Sequence, residues 1–354
     1  MKGILIIFVV WGHICSYVSG IYDKNFLTAV IRLYQMPMFI LVSGYFQKKG
    51  GGSATEFKNQ VLKTFKTLVI PYAAWVLIAS GADCVSAFLF GGDKVNSLKQ
   101  IVVTVLDNAN ILWYLGCLIV FQICYALLSW LSGYLGKKEI WILSLLVLLV
   151  LPIDIWYTCF LWPFFLLGRL LNRLGDLEAR SKKLKLLPLL IGCVLLTVVS
   201  QFYPTSLTFY NHTNFLFEGG VSEILSQLLL VFVRYALYGI VTIVFLLMFF
   251  SVYKRFNHSQ IVRMVSNIGQ RTLAIFVIHI ILLFYFFKPL VFLITEGKGF
   301  LPNLPGIRFY IVATILTAIT VAVCILLSNL IERNFLCARI MLGKRTDHIK
   351  NTGN

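Results

Sequence analysis

The sequence predicts an all-α, polytopic integral membrane bundle of about ten transmembrane helices, with the N- and C-termini cytoplasmic. Three observations predict it. Hydrophobic residues make up 59% of the 354 residues and charged residues only 13%, about half the charged share of a soluble domain. A water-soluble fold of this size would have too little polar surface to cover itself, and the mean hydropathy is +0.86. Second, apolar runs of bilayer-spanning length recur along the whole chain, so lipid is the expected solvent and no separate soluble domain stands out. Third, the net charge of +17 comes from short clusters of Lys and Arg between apolar runs. That is the positive-inside pattern, not a nucleic-acid surface.

A spanning helix needs roughly 20 apolar residues, and the candidate spans are 3–20, 28–46, 67–90, 111–132, 139–152, 154–172, 185–203, 228–250, 272–294 and 308–331. The first run follows Lys2, lacks a small-residue cleavage site and has the polar Trp11-Gly12-His13 in its middle, so it reads as a retained helix and not a signal peptide. The second contains Pro37, which removes a backbone donor and predicts a kink. Its Gly44 allows close helix approach, and Gln35, Ser43 and Tyr45 add polar groups. The third is entered from the basic stretch FKNQVLKTFKTLVIPY. The fifth and sixth meet at Pro152 and Asp154, and read either as two crossings or as a re-entrant hairpin. Both alternatives leave the sidedness of everything after them unchanged.

With the N-terminus inside, about three-quarters of the 31 Lys and Arg fall on the inner side, including Lys48, Lys58, Lys63, Lys66, Arg169, Arg173, Arg271 and Lys344. The outer face then carries the longer polar loops 91–110, 204–227 and 295–307, the last rich in Gly and Pro. No internal repeat is evident. Residues 1–342 form one membrane domain, and 343–354 form a polar, frayed cytoplasmic tail. The eight Cys show no metal or CxxC spacing. Cys117, Cys124, Cys159, Cys193 and Cys324 lie inside apolar runs and read as packing residues.

Among polar residues, His13 carries most weight. Lys2 precedes it by about 16 Å of helix, which puts Lys2 at the inner interface and His13 near the bilayer midplane. An ionisable residue at that depth must face protein or water, and an imidazole can exchange a proton near neutral pH. The alternative is a packing histidine bonded to a backbone carbonyl. His279 is buried in the ninth span, two turns after Arg271, and carries the same two readings. Lys63 and Lys66 are three apart on an expected helix and share a face, with Lys58 nearby. Such a cluster grips phosphates or anchors anionic lipid headgroups. Arg32 and Arg234 sit in the outer halves of their spans, with Glu218 and Glu223 just outside the eighth.

Several stretches together resemble one family. KGILIIFVVWGH resembles the opening helix of the membrane-bound acyltransferase family 3, in which a basic residue, ten residues and a His recur; here they are Lys2 and His13. YQMPMFILVSGYF resembles the family's His-Met-Pro-x-Phe-x-x-x-Ser-Gly-Tyr segment, with Gln35 in the place of the His, which puts a role for histidine there in question. FKTLVIPYAAW resembles the entry to the third helix, and Lys63 and Lys66 stand where the family often has Arg-x-x-Arg. A Lys is a weaker bidentate phosphate clamp than an Arg. ILWYLGCLIVF, WPFFLLGRLL and IGQRTLAIFVIHIILL resemble further family segments in order. The sub-branch that looks most similar is that of fucose 4-O-acetylase-like proteins. Relatives often have a few residues before the basic position, so a short leader ahead of Met1 is either missing or absent.

The resemblance implies a multi-pass protein of a bacterial plasma membrane that acylates surface glycans. It implies acetyl-CoA, or another acyl-CoA, as a donor held from the cytoplasmic side, and a glycan or lipid-linked sugar as acceptor at the other face. No metal is implied. Lys58, Lys63 and Lys66 would hold the donor phosphates, and Lys2 would assist them or anchor the helix. His13 would act as general base on the sugar hydroxyl or accept the acyl group itself, with His279 as the second catalytic candidate. Arg32, Gln35, Arg234, Glu218 and Glu223 are the candidates for an acceptor cleft. The rival class is a transporter or flippase for a glycan precursor or small solute, which buried histidines also suit. A third reading is a catalytically silent relative that only binds.

Overall fold

The computed structural model describes residues 1–18, 26–48, 50, 52–90, 98–136, 141, 144, 157–173, 175, 185–201, 221–295 and 306–344. All regular structure among them is helical. In chain order the helices are α1 (Lys2–Val18), α2 (Phe26–Tyr45), α3 (Ala54–Thr64), α4 (Ile70–Phe90), α5 (Leu98–Ile111), α6 (Trp113–Leu135), α7 (Thr158–Arg173), α8 (Leu186–Gln201), α9 (Val221–Phe256), α10 (Gln260–Gln270), α11 (Thr272–Ile281), α12 (Lys288–Ile294), α13 (Ile307–Arg333) and α14 (Phe335–Leu342). Among the described residues, five stretches are long and apolar enough to cross a membrane: Ala54–Phe90, Trp113–Leu135, Tyr235–Tyr253, Thr272–Ile294 and Ile307–Arg333. Helices α1, α2, α7 and α8 coincide with the first, second, sixth and seventh expected spans. The fifth, 139–152, falls almost wholly outside the described residues.

The third expected span begins well before its apolar run. Ser53 and Glu56 form a capping box: the Glu56 amide donates to Ser53 Oγ at 3.2 Å, and the Ser53 amide donates to Glu56 Oε2 at 3.3 Å. Two otherwise orphaned donors are satisfied reciprocally, so α3 starts there and runs through a π-wound segment, Phe65–Val69, into α4. The winding has a local cause. Pro71 offers no amide and its ring crowds the carbonyl of Thr67, so the ladder widens there. A second π-wound segment, Leu282–Phe287, joins α11 to α12 just ahead of Pro289, and the same argument applies.

Part of the outer-loop expectation for 91–110 is corrected. Residues 98–111 form α5, because Ile101, Val102, Val105 and Leu106 recur at helical spacing between polar flanks. In the loop expected at 204–227, α9 already begins at Val221; its remainder lies outside the described residues. Two further short helices, α10 and α14, lie outside the expected spans. Of the expected polar tail, Gly343 and Lys344 are docked, and 345–354 lie outside the described residues. Cys117, Cys159 and Cys324 are buried and Cys124 is half-buried, as packing residues should be; the Cys193 side chain lies outside the described residues.

The chain divides into two units. One comprises Met1–Leu5, Asp23–Lys49 and Leu131–Asn267 and is organised around α2 and α7. A Cβ at Gly44 would stand 2.1 Å from the Phe165 carbonyl oxygen, and one at Gly168 would stand 2.0 Å from that of Leu41. Only glycine permits this backbone approach. Phe160, Phe164 and Tyr238 fill the space beside the crossing, and Tyr34 stacks on Phe245 with centroids 4.2 Å apart. Helix α2 continues through Pro37.

The other unit comprises Ile6–Tyr22, Gly50–Trp130 and Ile268–Asn354. Its α14 returns to α4: Trp75 Nε1 donates to the Met341 carbonyl at 2.7 Å, and Gly343, at φ +62°, lies against the backbone of Thr67. Glu332 sits between two cations, 2.8 Å from Lys344 and 3.8 Å from Arg271, and Arg271 also donates to Asn329 at 3.1 Å. At the far end of α13, Tyr310 stacks on Trp11 of α1.

Candidate active site

The two histidine candidates meet inside the second unit. His13, half-buried in the middle of α1, and His279, fully buried at the end of α11, have ring centroids 5.4 Å apart and planes tilted by 43°. Both helices are apolar around these positions. Phe284 meets His13 edge-on at 5.8 Å, and Phe276 meets His279 edge-on at 5.9 Å. The π-wound segment begins three residues after His279. It turns Phe284 onto His13, a local irregularity of the kind that often attends functional sites.

The tautomer of His279 follows from its bonding. Nδ1 lies 2.7 Å from the Ile275 carbonyl. A carbonyl can only accept, so Nδ1 carries a proton. In the neutral ring Nε2 then presents a lone pair. Nε2 is buried with no hydrogen-bond partner among the described residues. A buried unsatisfied acceptor costs on the order of 1–3 kcal/mol and calls for an explanation. A proton-bearing group entering the site would satisfy it.

Farther along the same unit lies a polar cluster that sequence reasoning missed. The Tyr285 hydroxyl donates to Asn108 Oδ1. Asn108 donates to the Thr104 carbonyl at 2.7 Å and to the Asp83 carboxylate. Asn108 is 1% exposed. Tyr285 is about 9 Å beyond His279 at helical rise. One signal for it exists in the sequence: Asp83 is an ionisable residue inside an apolar span, which is a functional candidate by default.

Lys58, Lys63 and Lys66 are all exposed on the continuous rod from α3 to α4, while Thr64 between them is buried and donates to Gln122 Oε1 at 3.0 Å. Lys63 and Lys66 thus lie on the side away from the packed face. The docked chain at Gly343 touches Thr67 and brings the α14 end beside this cluster. Lys2 opens α1, the helix that carries His13.

The acceptor candidates are less connected. Gln35 is buried in α2, and its Oε1 has no partner among the described residues. The side chains of Arg32, Glu223 and Arg234, and all of Glu218, lie outside the described residues.

Comparison with known proteins adds to this geometry. Residues 1–328 match a family model described as an acyltransferase domain. The nodulation protein NolL of Sinorhizobium fredii (strain NBRC 101917 / NGR234) is 28% identical over 193 residues, covering 51% of this chain and 50% of that protein. The similarity thus spans about half the length of that curated relative. No solved structure matches the chain.

Proposed function

The chain belongs to the acyltransferase family whose domain model runs through residues 1–328, and from that membership we propose that it is a membrane O-acyltransferase. The proposed reaction moves an acetyl group from cytoplasmic acetyl-CoA to a sugar hydroxyl. The acceptor is a cell-surface polysaccharide or its lipid-linked precursor, at the plasma membrane of a bacterium. The observation that carries this reading is the His13–His279 pair: two imidazoles, 5.4 Å apart between centroids, in an apolar interior of a chain from an acyltransferase family.

Acyl transfer from a thioester needs little more than a base and an exclusion of water. In the proposed step His13 takes the proton of the sugar hydroxyl as the oxygen attacks the thioester carbonyl. The carbonyl–sulfur bond breaks, the acyl group stays on the oxygen, and coenzyme A leaves as a thiolate that takes up a proton. In the covalent variant a His13 nitrogen attacks the thioester carbonyl first and expels coenzyme A as the thiolate; the sugar hydroxyl then displaces the imidazole from the acyl group and gives up its proton to the thiolate or solvent. His279, protonated at Nδ1, offers its Nε2 lone pair to the same proton and orients it. Lys63 and Lys66, with Lys58, hold the donor phosphates by charge-assisted hydrogen bonds, and the pantetheine arm reaches inward from there. Asp83, Asn108 and Tyr285 supply hydrogen-bonding groups on the side from which an acceptor would enter.

The test is a coenzyme A release assay on the purified protein in lipid nanodiscs, supplied with acetyl-CoA and a surface-glycan extract, with O-acetyl content of the glycan measured in parallel. Acceptor-dependent release with matching O-acetylation is the expected result. Movement of a lipid-linked sugar across proteoliposomes with no consumption of acyl-CoA would overturn it in favour of a flippase.

A further inference from the structure

Helices α2 and α7 end side by side because they cross at Gly44 and Gly168, and the residue after each glycine is carried into the same corner. A pocket of about 680 Å³ opens there, walled by Tyr45 at the end of α2, by Phe46 and Lys48 just after it, and from α7 by Arg169 and Arg173. That volume is within the range of small-molecule sites. None of the roles assigned above uses it.

Its chemistry is one-sided. Three of its lining residues are cations, two are aromatic, and no carboxylate is among the described lining residues. Arg169 is 5% exposed, and its Nη1 donates to the Gln47 carbonyl at 2.6 Å and to Asn172 Oδ1 at 3.1 Å. These bonds close the end of α2 and hold a planar guanidinium in the wall. Lys48 and Arg173 are exposed at the mouth. Phe46, 64% exposed, presents a bare ring beside them, with Tyr45 packed edge-on against it at 5.2 Å.

Cations at helix C-termini have a plain electrostatic reason to be there. Each helix end carries roughly half a negative charge, so the two ends together offset about one of the three cations. Lys48 and Arg173 add exposed positive charge at the mouth of this concave, aromatic-walled site.

We infer that this pocket binds a phosphate group on a molecule that also carries an apolar or aromatic portion. Two sources share that chemistry: the nucleotide end of an acyl-CoA, and the headgroup of an anionic phospholipid. The inference concerns binding alone and does not rest on acyl transfer.

The test uses the full chain in nanodiscs. Adenosine 3′,5′-bisphosphate binding is measured in phosphatidylcholine discs, and retention of phosphatidylglycerol is measured by native mass spectrometry after detergent exchange. The variant is Lys48→Glu with Arg173→Glu, both exposed and outside the packed crossing; Arg263→Glu on α10 is the charge control. Loss of about tenfold or more in nucleotide affinity, absent in the control, supports the site and identifies the nucleotide source. Loss of phosphatidylglycerol retention instead supports it with the headgroup as source. Wild-type values for both ligands in the double variant would overturn the inference. Acetyl-CoA turnover is recorded separately, so intact binding without turnover counts against the acyltransferase reading and not against the pocket.

Discussion

His13 and His279 come from opposite ends of the chain and meet with ring centroids 5.4 Å apart, while the His279 Nδ1 proton is committed to the Ile275 carbonyl. If the two imidazoles handle one proton, their loss is not additive. His13→Gln is expected to lower acyl transfer by about 10²–10⁴, the usual cost of removing a general base. His279→Gln is expected to lower it by less, and the double variant to be no worse than His13→Gln alone. Single-turnover rates of the three purified, folded variants measure this. A fully active His13→Gln protein would remove the assignment, and strictly multiplicative losses would remove the coupling.

The donor prediction rests on exposure. Lys63 and Lys66 are exposed while Thr64 is buried, so Lys63→Ala with Lys66→Ala should leave folding intact. Charge-assisted hydrogen bonds contribute about 1.5–3 kcal/mol each, so acyl-CoA affinity should fall about tenfold or more per lysine that contacts a phosphate. The loss should be greatest at low salt, where screening is weakest. Isothermal titration at two ionic strengths decides it. Affinity unchanged at both would return the cluster to lipid anchoring.

What was legible in the sequence depended on how much signal each element carried by itself. The spans holding α1, α2, α4, α6, α11 and α13 have apolar runs of near bilayer length, and hydropathy alone locates them. Helices α5, α10 and α14 are too short to register as spans; α5 lay in a stretch read as a loop, and α10 and α14 lay outside the expected spans. His13 and His279 were each visible as histidines in apolar spans. Their meeting was not, because no spacing rule links residues so distant. Asn108 and Tyr285 failed for the same reason: each is an ordinary helix residue until packing brings them together, and only Asp83, ionisable inside an apolar span, offered a signal. The Gly44–Gly168 crossing was half legible. Gly44 marked a close approach, but its partner depended on the pairing of α2 with α7.

That crossing makes a stability prediction. A methyl at Gly44 or Gly168 would collide with backbone carbonyls at 2.1 Å and 2.0 Å, and backbone cannot swing aside as a side chain does. Gly44→Ala and Gly168→Ala should each destabilise by about 1–3 kcal/mol or more, the cost of overpacking. Gly81→Ala is the control, since nothing stands within 4 Å of the place its methyl would take. Thermal unfolding in detergent should show a lowered midpoint for the first two and none for the third. Equal midpoints for all three would mean the helices do not cross this closely.

The return of α14 to α4 predicts a local effect without global loss. Trp75→Phe removes the donor to Met341 but keeps an aromatic ring, so the net cost should be near 1 kcal/mol and confined to the last turn of α14. Hydrogen–deuterium exchange should rise in Phe335–Leu342 and stay unchanged in α6. Exchange that rises evenly across the chain would point to a general role in packing.

The topology prediction decides which of the preceding sites face which compartment. It follows from the bias of Lys and Arg, since positively charged segments resist translocation while acidic ones contribute little. The segments holding Lys58, Lys63 and Lys66, and Arg169 and Arg173, should face the cytoplasm, and α5 and 295–307 the exterior. The donor lysines and the phosphate pocket would then share the compartment that contains acyl-CoA, while Asp83, Asn108 and Tyr285 lie toward the other face. Single-cysteine labelling with a membrane-impermeant maleimide, in a background lacking the native cysteines, tests each segment. Positions in α5 should react in intact cells, and positions beside Lys58 only after the membrane is opened. The reverse pattern would put the lysine cluster out of reach of cytoplasmic acyl-CoA. The donor assignment would then fail even if the His13–His279 pair proved catalytic, because the two stand on independent observations.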